Sequence, residues 1–463
     1  MKKDILVFVG CIIGCYYLLT LNMGCAQISA PTGGATDTLP PRLVKASPQL
    51  NTVNFKGNKV TLSFNEYIDL QELQGNLIIS PVQKTTPTIN YNLRSISIKF
   101  KDSLLPNTTY SVNFGNSIKD VHEGNILKNF TYVFSTGNFI DSLTLEGNVV
   151  MAESGLPDST LSVMLYRNKA DSAVLKTKPD YITKLDGKGN FKFMNLPNAD
   201  FNIYALKDGD GGKTYNSKTE IFAFDDSVVN TLDNTSAIIL YAYAEQKADK
   251  SKTTNVLKTA ADKKLKYSLN LQANRQDLLE NLDITFNNPL KIFDSLKPVL
   301  ADTNYKPLNN YTLTIDSTRK LVSLKTKWVP ETEYYFLIPK ETARDSSGNA
   351  LLKSDTIRFS TKKTTDYGNI LLRFTNIDLS KHPVIQFLEG ENIKFSYPIV
   401  AKEWSNKLFS PGEYIIRILY DLNNNGVWDP GNYSKKIQPE KAIQLPQKLS
   451  IKADWDNERD IKL

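Results

Sequence analysis

Val60-Thr61-Leu62-Ser63-Phe64-Asn65 returns far downstream as Leu282-Asp283-Ile284-Thr285-Phe286-Asn287, and this return decides how the whole sequence is read. Three more pairs follow in the same order. Leu105-Pro106-Asn107-Thr108-Thr109-Tyr110 is answered by Val329-Pro330-Glu331-Thr332-Glu333-Tyr334, Asp120 with Gly124-Asn125 by Asp345 with Gly348-Asn349, and Phe134-Ser135-Thr136 by Phe359-Ser360-Thr361. The shift is 222 residues for the first pair (60 to 282) and 225 for the last (134 to 359), which is the mark of a duplicated unit. Inside the earlier copy Ile96, Ile98 and Phe100 alternate with Ser97 and Lys99, Tyr110, Val112 and Phe114 alternate with Ser111 and Asn113, and Phe130, Tyr132 and Phe134 repeat the pattern. A period of two turns one face of each strand to a core and the other to water, and turn residues punctuate the runs at short spacing. The fold class expected is all-β, in tandem β-sandwich modules.

A second kind of unit fills the spaces between. Leu143-Thr144-Leu145-Glu146-Gly147-Asn148-Val149 opens a strand, Asp186-Gly187-Lys188-Gly189-Asn190 turns the chain, Phe191 and Phe193 share a face, Leu196-Pro197 turns it again, and Phe201, Ile203 and Ala205 lead to Asp208. Downstream only the last part is legible, from Pro411-Gly412-Glu413-Tyr414 to Asp421; Phe201 to Tyr414 and Asp208 to Asp421 are both shifts of 213. A chain of 463 residues exceeds what one hydrophobic core serves. With 41% hydrophobic residues, 22 Tyr and 21 Phe it reads as globular and strand-rich.

The pattern Pro40-Pro41, Phe64-Asn65, Leu105 to Tyr110, Asp120 with Gly124-Asn125 and Phe134-Ser135-Thr136 resembles the bacterial Ig-like domain of the SbsA type, over 38–137 and more loosely over 267–362. The glycine turn, Phe191 and Phe193, Leu196-Pro197 and the aromatic strand ending in Asp208 resemble the carboxypeptidase regulatory-like or transthyretin-like sandwich, over 138–245 and 366–463. The first resemblance implies envelope and surface spacers; the second implies accessory modules without a peptidase centre. Between the pairs, 246–266 reads as a Lys-rich linker.

Cys11, Cys15 and Cys25 are the only cysteines, so the body has neither disulfides nor thiolate metal sites. Lys2 and Lys3 precede an uncharged run from Ile5 to Leu21, the layout of a signal peptide (1–24), and Gly24-Cys25 resembles the lipobox of bacterial lipoproteins, which implies acylation of Cys25 and a tether over 25–37. Asn22 stands where that family usually has Leu. Cys15 after Ile12-Ile13-Gly14, or an uncleaved membrane anchor, are the alternatives. In Bacteroidetes lipoproteins an acidic cluster after the cysteine often marks surface export; none follows Cys25, so the resemblance implies attachment to the outer membrane on its periplasmic face.

One constellation carries chemistry. Asp421, Asn423, Asn425 and Asp429 place oxygen side chains at positions 1, 3, 5 and 9 of a loop with Gly426 at position 6, the spacing of a calcium loop, although position 12 is Asn432 in place of a bidentate Glu. An Asx-rich turn between strands is the competing reading, and it is stronger still for Asp208-Gly209-Asp210-Gly211-Gly212 in the earlier copy. No cofactor is required, and Ca²⁺ is the one a loop could accept. His122 and His382 stand in different modules with no partner at motif spacing, and no phosphate loop, zinc motif or nucleophile elbow occurs, so no catalytic residue is expected. Trp328, Trp404, Trp428 and Trp455 are read as core residues first and as a glycan-stacking face second. The function expected is a non-enzymatic envelope scaffold held to a membrane by its lipid. An envelope glycan- or peptide-binding module is the alternative and a cryptic hydrolase the third; an exported chain meets no nucleic acid.

Overall fold

The computed structural model describes residues 9–16, 34–233, 237–247 and 264–463. Cys25 and residues 248–263 of the Lys-rich stretch lie outside them. Residues 9–16, with Cys11 and Cys15, are helical and exposed; almost all else that is regular is strand. The chain divides into two compact units, Met1–Ile140 and Asp141–Leu463.

In the first unit one sheet runs in the order Leu43–Ser47, Lys59–Phe64, Ser95–Lys99, Thr88–Asn92, and a second in the order Thr131–Ser135, Thr109–Asn113, Ile78–Ser80. Every pairing in the two is antiparallel. The alternation read from the sequence holds: Val60, Leu62, Ile96, Ile98, Tyr110, Val112, Tyr132 and Phe134 are all buried in one cluster. Each such side chain contributes roughly 1.5–3 kcal/mol on burial, which in a body without disulfides is the main source of stability. A small third sheet of Ile68–Leu70, Ile118–Asp120 and Ile126–Leu127 completes the unit.

The second unit contains three further hydrophobic clusters. The one between Leu265 and Phe359 repeats the strand order of both main sheets of the first unit. Tyr267–Leu269, Leu282–Phe286, Leu321–Thr326 and Tyr311–Ile315 form one sheet; Asp355–Thr361, Glu333–Ile338 and Val299–Ala301 form the other, with Arg275–Gln276 added alongside Asp355–Thr361. The other two clusters belong to sandwiches with a different plan, and here too one copies the other. Asn190–Leu196, Leu143–Met151 and Ile238–Ala242 correspond to Glu403–Phe409, Gly368–Thr375 and Asp456–Lys462, and in each set the opening and closing strands of the module pair in parallel. The facing sheets, Tyr181–Lys184, Ser162–Tyr166, Asp200–Leu206, Phe222–Phe224 and Asn392–Pro398, Pro383–Glu389, Gly412–Tyr420, Lys441–Gln444, have the same order. The last module therefore keeps the whole plan, although of the motif its sequence shows only the part from Pro411 to Asp421. Strands tolerate any residue set that preserves alternation, so topology outlasts motif.

The two modules of this second kind are not merely strung together. A fifth buried cluster joins them: Tyr166, Tyr204, Tyr215, Phe222, Phe224 and Tyr243 of the earlier module enclose Tyr433 of the later one. The Tyr433 ring meets Phe222 and Phe224 edge-on at 5.1 and 5.2 Å. Its hydroxyl donates to the Asp171 carbonyl at 2.9 Å and lies 3.1 Å from the Tyr204 hydroxyl, while its amide donates to Glu245 Oε1 at 3.0 Å. Lys436 reaches Asp171 at 2.6 Å and sits 4.2 Å above the Tyr433 ring. The backbones also touch, with the Ala442 amide donating to the Ala152 carbonyl at 2.8 Å. Gly155 makes that approach possible: at φ +72 it adopts a conformation other residues avoid, and a Cβ there would lie 2.6 Å from the Ala442 carbonyl oxygen.

Tyr433→Ala removes the ring and leaves Tyr204 in a cavity. We expect a loss of about 3–5 kcal/mol in denaturant unfolding of the full chain, the usual cost of truncating a buried aromatic residue. A loss below about 1 kcal/mol, the range of an exposed substitution, would mean that the two modules fold as independent beads.

Candidate functional site

The residues that recur between the two sandwiches of the first kind are taken up by their own backbones. Asp120 is 1% exposed, and its carboxylate accepts the amides of Glu123, Gly124 and Asn125 at 2.6–2.9 Å. Asp345 does the same for Ser347 and Asn349 at 2.9 and 2.8 Å, and also accepts the side-chain amides of Asn349 and Asn288. Burial opposes ionisation of both groups, yet the donated hydrogen bonds outweigh it and hold each below the ordinary carboxylate range. Thr136 and Thr361 are equally matched: each hydroxyl donates to a carbonyl before the Pro turn, Leu105 at 2.7 Å and Val329 at 2.6 Å, and each accepts an amide after it, from Thr108 and Thr332. Tyr110 and Tyr334 stack on Phe134 and Phe359 at 5.2 and 5.7 Å.

The proposed calcium loop leaves the strand Gly412–Tyr420 at Asp421, which is fully buried. Its two carboxylate oxygens accept the amides of Asn425 at 3.1 Å and Gly426 at 2.6 Å. The side-chain amides of Asn423 and Asn425 both converge on Asp429 Oδ2, at 2.6 and 2.7 Å. The four sequence-selected residues are thus brought together. Asn432 is not among them; its side chain accepts the Lys435 amide and caps the turn that carries Tyr433. Glu440 arrives in its place. It is 5% exposed, accepts the amides of Leu422 at 2.7 Å and Asp429 at 3.0 Å, and its carbonyl receives the Trp428 indole at 2.8 Å. Burial, then the charges of Asp421 and Asp429, push the Glu440 carboxyl up against the opposing pull of those amides. No Lys or Arg among the described residues pairs with Asp421, Asp429 or Glu440, so this loop holds negative charge that protein cations do not compensate. Sequence spacing could not find Glu440, because it enters from beyond the loop, just before the strand Lys441–Gln444.

The earlier module repeats the device. Asp208, two residues beyond the strand Asp200–Leu206, accepts the amides of Gly211 and Lys213, and Glu220, two residues before the strand Phe222–Phe224, accepts those of Asn216 and Ser217. One carboxylate oxygen each from Asp208, Asp210 and Glu220 lie within 4.8 Å of one another. Among the described residues this loop, ranked second by sequence, gathers carboxylates more closely than the one ranked first.

The remaining candidates disperse. His122 and His382 are both exposed, and His122 sits beside Tyr67 at 6.2 Å. Trp328 is buried in one module, Trp404 packs against Phe387 in another, Trp428 borders the Tyr433 cluster and Trp455 is exposed under Lys452, so the four share no face. A cavity of about 170 Å³ is lined by Asp277, Glu280, Glu389, Arg275, Lys362 and Lys394, a gathering of carboxylates of the sort a hydrolase would use. Asp277, however, pairs with Lys362 at 2.7 Å and Glu280 with Lys394 at 3.7 Å. Burial raises the Asp277 carboxyl, but Lys362, the Leu279 amide and Tyr367 outweigh it and keep it below its ordinary value, the opposite of what a general acid needs.

Residues 37–136 match the bacterial Ig-like domain family. No curated protein matches the chain. Among solved structures, BcpA, the major pilin subunit of Bacillus cereus, is 10% identical, covering 70% of this chain and 99% of its own with a TM-score of 0.18. The S-layer protein rSbsC(31-844) is 12% identical over 91% of this chain and 54% of its own, TM-score 0.17, and the Bacillus anthracis TIE protein 10% identical over 93% and 76%, TM-score 0.17. Likeness of this degree carries no inference about activity. In the Ig-like domain, the buried Asp120 clamp and the Thr136 latch account for two of the motifs by which the sequence resembles the family.

The two buried carboxylate types have opposite pH signatures. Asp345, held below its unfolded value, stabilises its turn at neutral pH and loses that contribution as pH falls through its lowered pKa; Glu440, held above, stabilises its loop most below the ordinary Glu range and loses that as pH rises through its raised pKa. Hydrogen exchange between about pH 3 and 7, corrected for intrinsic rates, should show protection of 345–349 rising with pH while that of the Leu422 and Asp429 amides, which Glu440 accepts, falls. Parallel trends in the two segments would contradict the assignment.

Proposed function

We propose that this chain is a non-catalytic element of the bacterial cell envelope, anchored through acylated Cys25 to the outer membrane on its periplasmic face, and that its sandwiches act as a scaffold. The observation that carries this reading is where the recurring polar residues are spent. Asp120, Asp345, Thr136 and Thr361 each hold a turn of their own module by hydrogen bonds to backbone. A duplicated module whose repeated residues are all used internally is selected for shape. The Ig-like domain at 37–136 and the signal-like amino end support an exported, load-bearing role. Palmitate should label the wild-type protein and not Cys25→Ala, and protease added to whole cells should leave the labelled chain intact. Label retained in the variant would remove the anchor; digestion would move the protein to the outer face.

For the 421–429 loop we propose Ca²⁺ as ligand, with Asp421, Asn423, Asn425 and Asp429 supplying oxygens and Glu440 the additional charge. Support comes from the buried negative charge without a protein cation and from the hard-oxygen chemistry of the set. Few charged ligands imply weak binding, on the order of 10⁻⁴–10⁻³ M, as in extracellular modules. Calorimetry on the full chain should give saturable heat that Glu440→Gln and Asp421→Ala diminish, together with a higher melting temperature. No heat and an unchanged melting temperature at millimolar Ca²⁺ would leave an Asx-rich turn.

A further inference from the structure

The Ig-like domain has a chemical polarity from end to end. The chain enters at Asp37, whose carbonyl accepts the Asn125 side-chain amide at 3.0 Å, and leaves at Gly137, whose carbonyl accepts the Asn54 amide at 2.6 Å. These are opposite ends: the strand Lys59–Phe64 begins beside the exit, near Asn58 and Phe100, and finishes beside the entrance, where the Asn65 amide donates to Arg42. At the entrance end four large apolar or aromatic side chains stand in water. Tyr67 is 40%, Tyr91 48%, Val121 56% and Leu93 64% exposed. They form one surface. The Ile68 amide donates to Leu93, the Val121 amide donates to Tyr67, and the Arg94 guanidinium lies 4.8 Å above the Tyr67 ring. Leu93 is the least expected of them. It occupies the tip of the two-residue hairpin between Thr88–Asn92 and Ser95–Lys99 at φ +53, a conformation that glycine or asparagine adopts readily and leucine does not. A strained and exposed leucine at a hairpin tip points to something outside the domain that covers it.

We infer that this entrance-end surface rests on the lipid bilayer, with Leu93, Tyr67 and Val121 entering the interfacial layer. The inference deepens the proposed function and rests on acylation of Cys25. The chain from Cys25 to Asp37 spans at most about 40 Å even when fully extended, so the acylated chain holds this end close to the membrane at high effective concentration. Tyrosine and leucine suit the boundary between headgroup and acyl chain. Acidic Asp37, Glu66 and Glu123 act on one another at the same end, while the cations there are engaged within the domain, Arg94 over the Tyr67 ring and Lys119 with Asp69 at 3.6 Å. The contact is therefore apolar and not an attraction for anionic headgroups, and it should survive high salt.

The test uses the full acylated protein in vesicles of phosphatidylethanolamine and phosphatidylglycerol that contain a spin-labelled lipid. A bimane probe is placed at Leu93→Cys, at Val121→Cys, or at Lys56→Cys at the exit end. We expect probes at 93 and 121 to be quenched about three-fold more than the probe at 56, equally at low and high salt. Equal quenching at all three positions, with palmitate still on Cys25, overturns the inference and leaves the anchor standing. Protection of positions 93 and 121 by peptidoglycan instead of lipid also overturns it, in favour of a glycan partner. Absence of palmitate on Cys25 overturns both readings at once.

Discussion

A carboxylate that takes two or three backbone amides into a buried turn is the interaction on which these sandwiches depend. The body of the chain has no cysteine, so neither disulfide nor metal thiolate can pin a loop. Asp120, Asp345, Asp421 and, with more exposure, Asp208 do that work, each at a strand end where the chain must reverse. Such a bond is charge-assisted and geometrically demanding, and removing the acceptor strands several buried donors at once. The hydrophobic faces supply most of the folding free energy, but they do not specify which way a loop turns. The clamps do.

How far the sequence disclosed this depended on the range of each interaction. Alternation at Ile96, Ile98 and Phe100 is local and was legible, and so was the doubling of the modules, because the clamp residues act within five positions of one another and must keep their spacing. The plan of the last module was only partly legible: Gly368–Thr375 pairs in parallel with Asp456–Lys462 across more than eighty residues, and nothing in either strand names the other. Glu440 and Tyr433 were invisible as site residues for the same reason. Each acquires its role only when a strand has returned, Glu440 beside Asp429 and Tyr433 inside a pocket of tyrosines from the other module of its kind. Position-by-position spacing put Asn432 into the twelfth place of the loop, whereas the structure uses it to cap the turn that presents Tyr433.

That turn ties the candidate ligand loop to the joint. From Asp421 the chain passes through the oxygen-rich loop to Trp428, whose indole reaches the Glu440 carbonyl, then to Gly431 against Tyr243, and then to Tyr433 in the aromatic cluster. Glu245 accepts both the Tyr433 amide and the Tyr215 hydroxyl, so the joint has its own buried carboxylate. A cation held by the loop would act on the segment between Asp429 and Glu440 from both sides, which is the segment that crosses to the other module. With the proposed Ca²⁺ in the loop, occupancy and joint rigidity would be one equilibrium, because a ligand that binds the ordered loop would stabilise the joint by mass action.

The same duplication yields two modules with unlike surroundings. Asp208, Asp210 and Glu220 sit on the module that receives Tyr433, and Asp421, Asp429 and Glu440 on the one that supplies it. In the receiving module Asp210 is exposed and Asp208 and Glu220 are half-buried; in the supplying module Asp421 and Glu440 are buried. A hydrated carboxylate cluster costs little when empty, whereas a buried one is destabilising unless its amides or a cation answer it. Both loops reach the joint, the earlier one through Tyr215, which stacks on Phe222 at 4.2 Å, but the burial of Asp421 and Glu440 makes theirs the loop whose counter-charge matters more to the stability of the contact between modules.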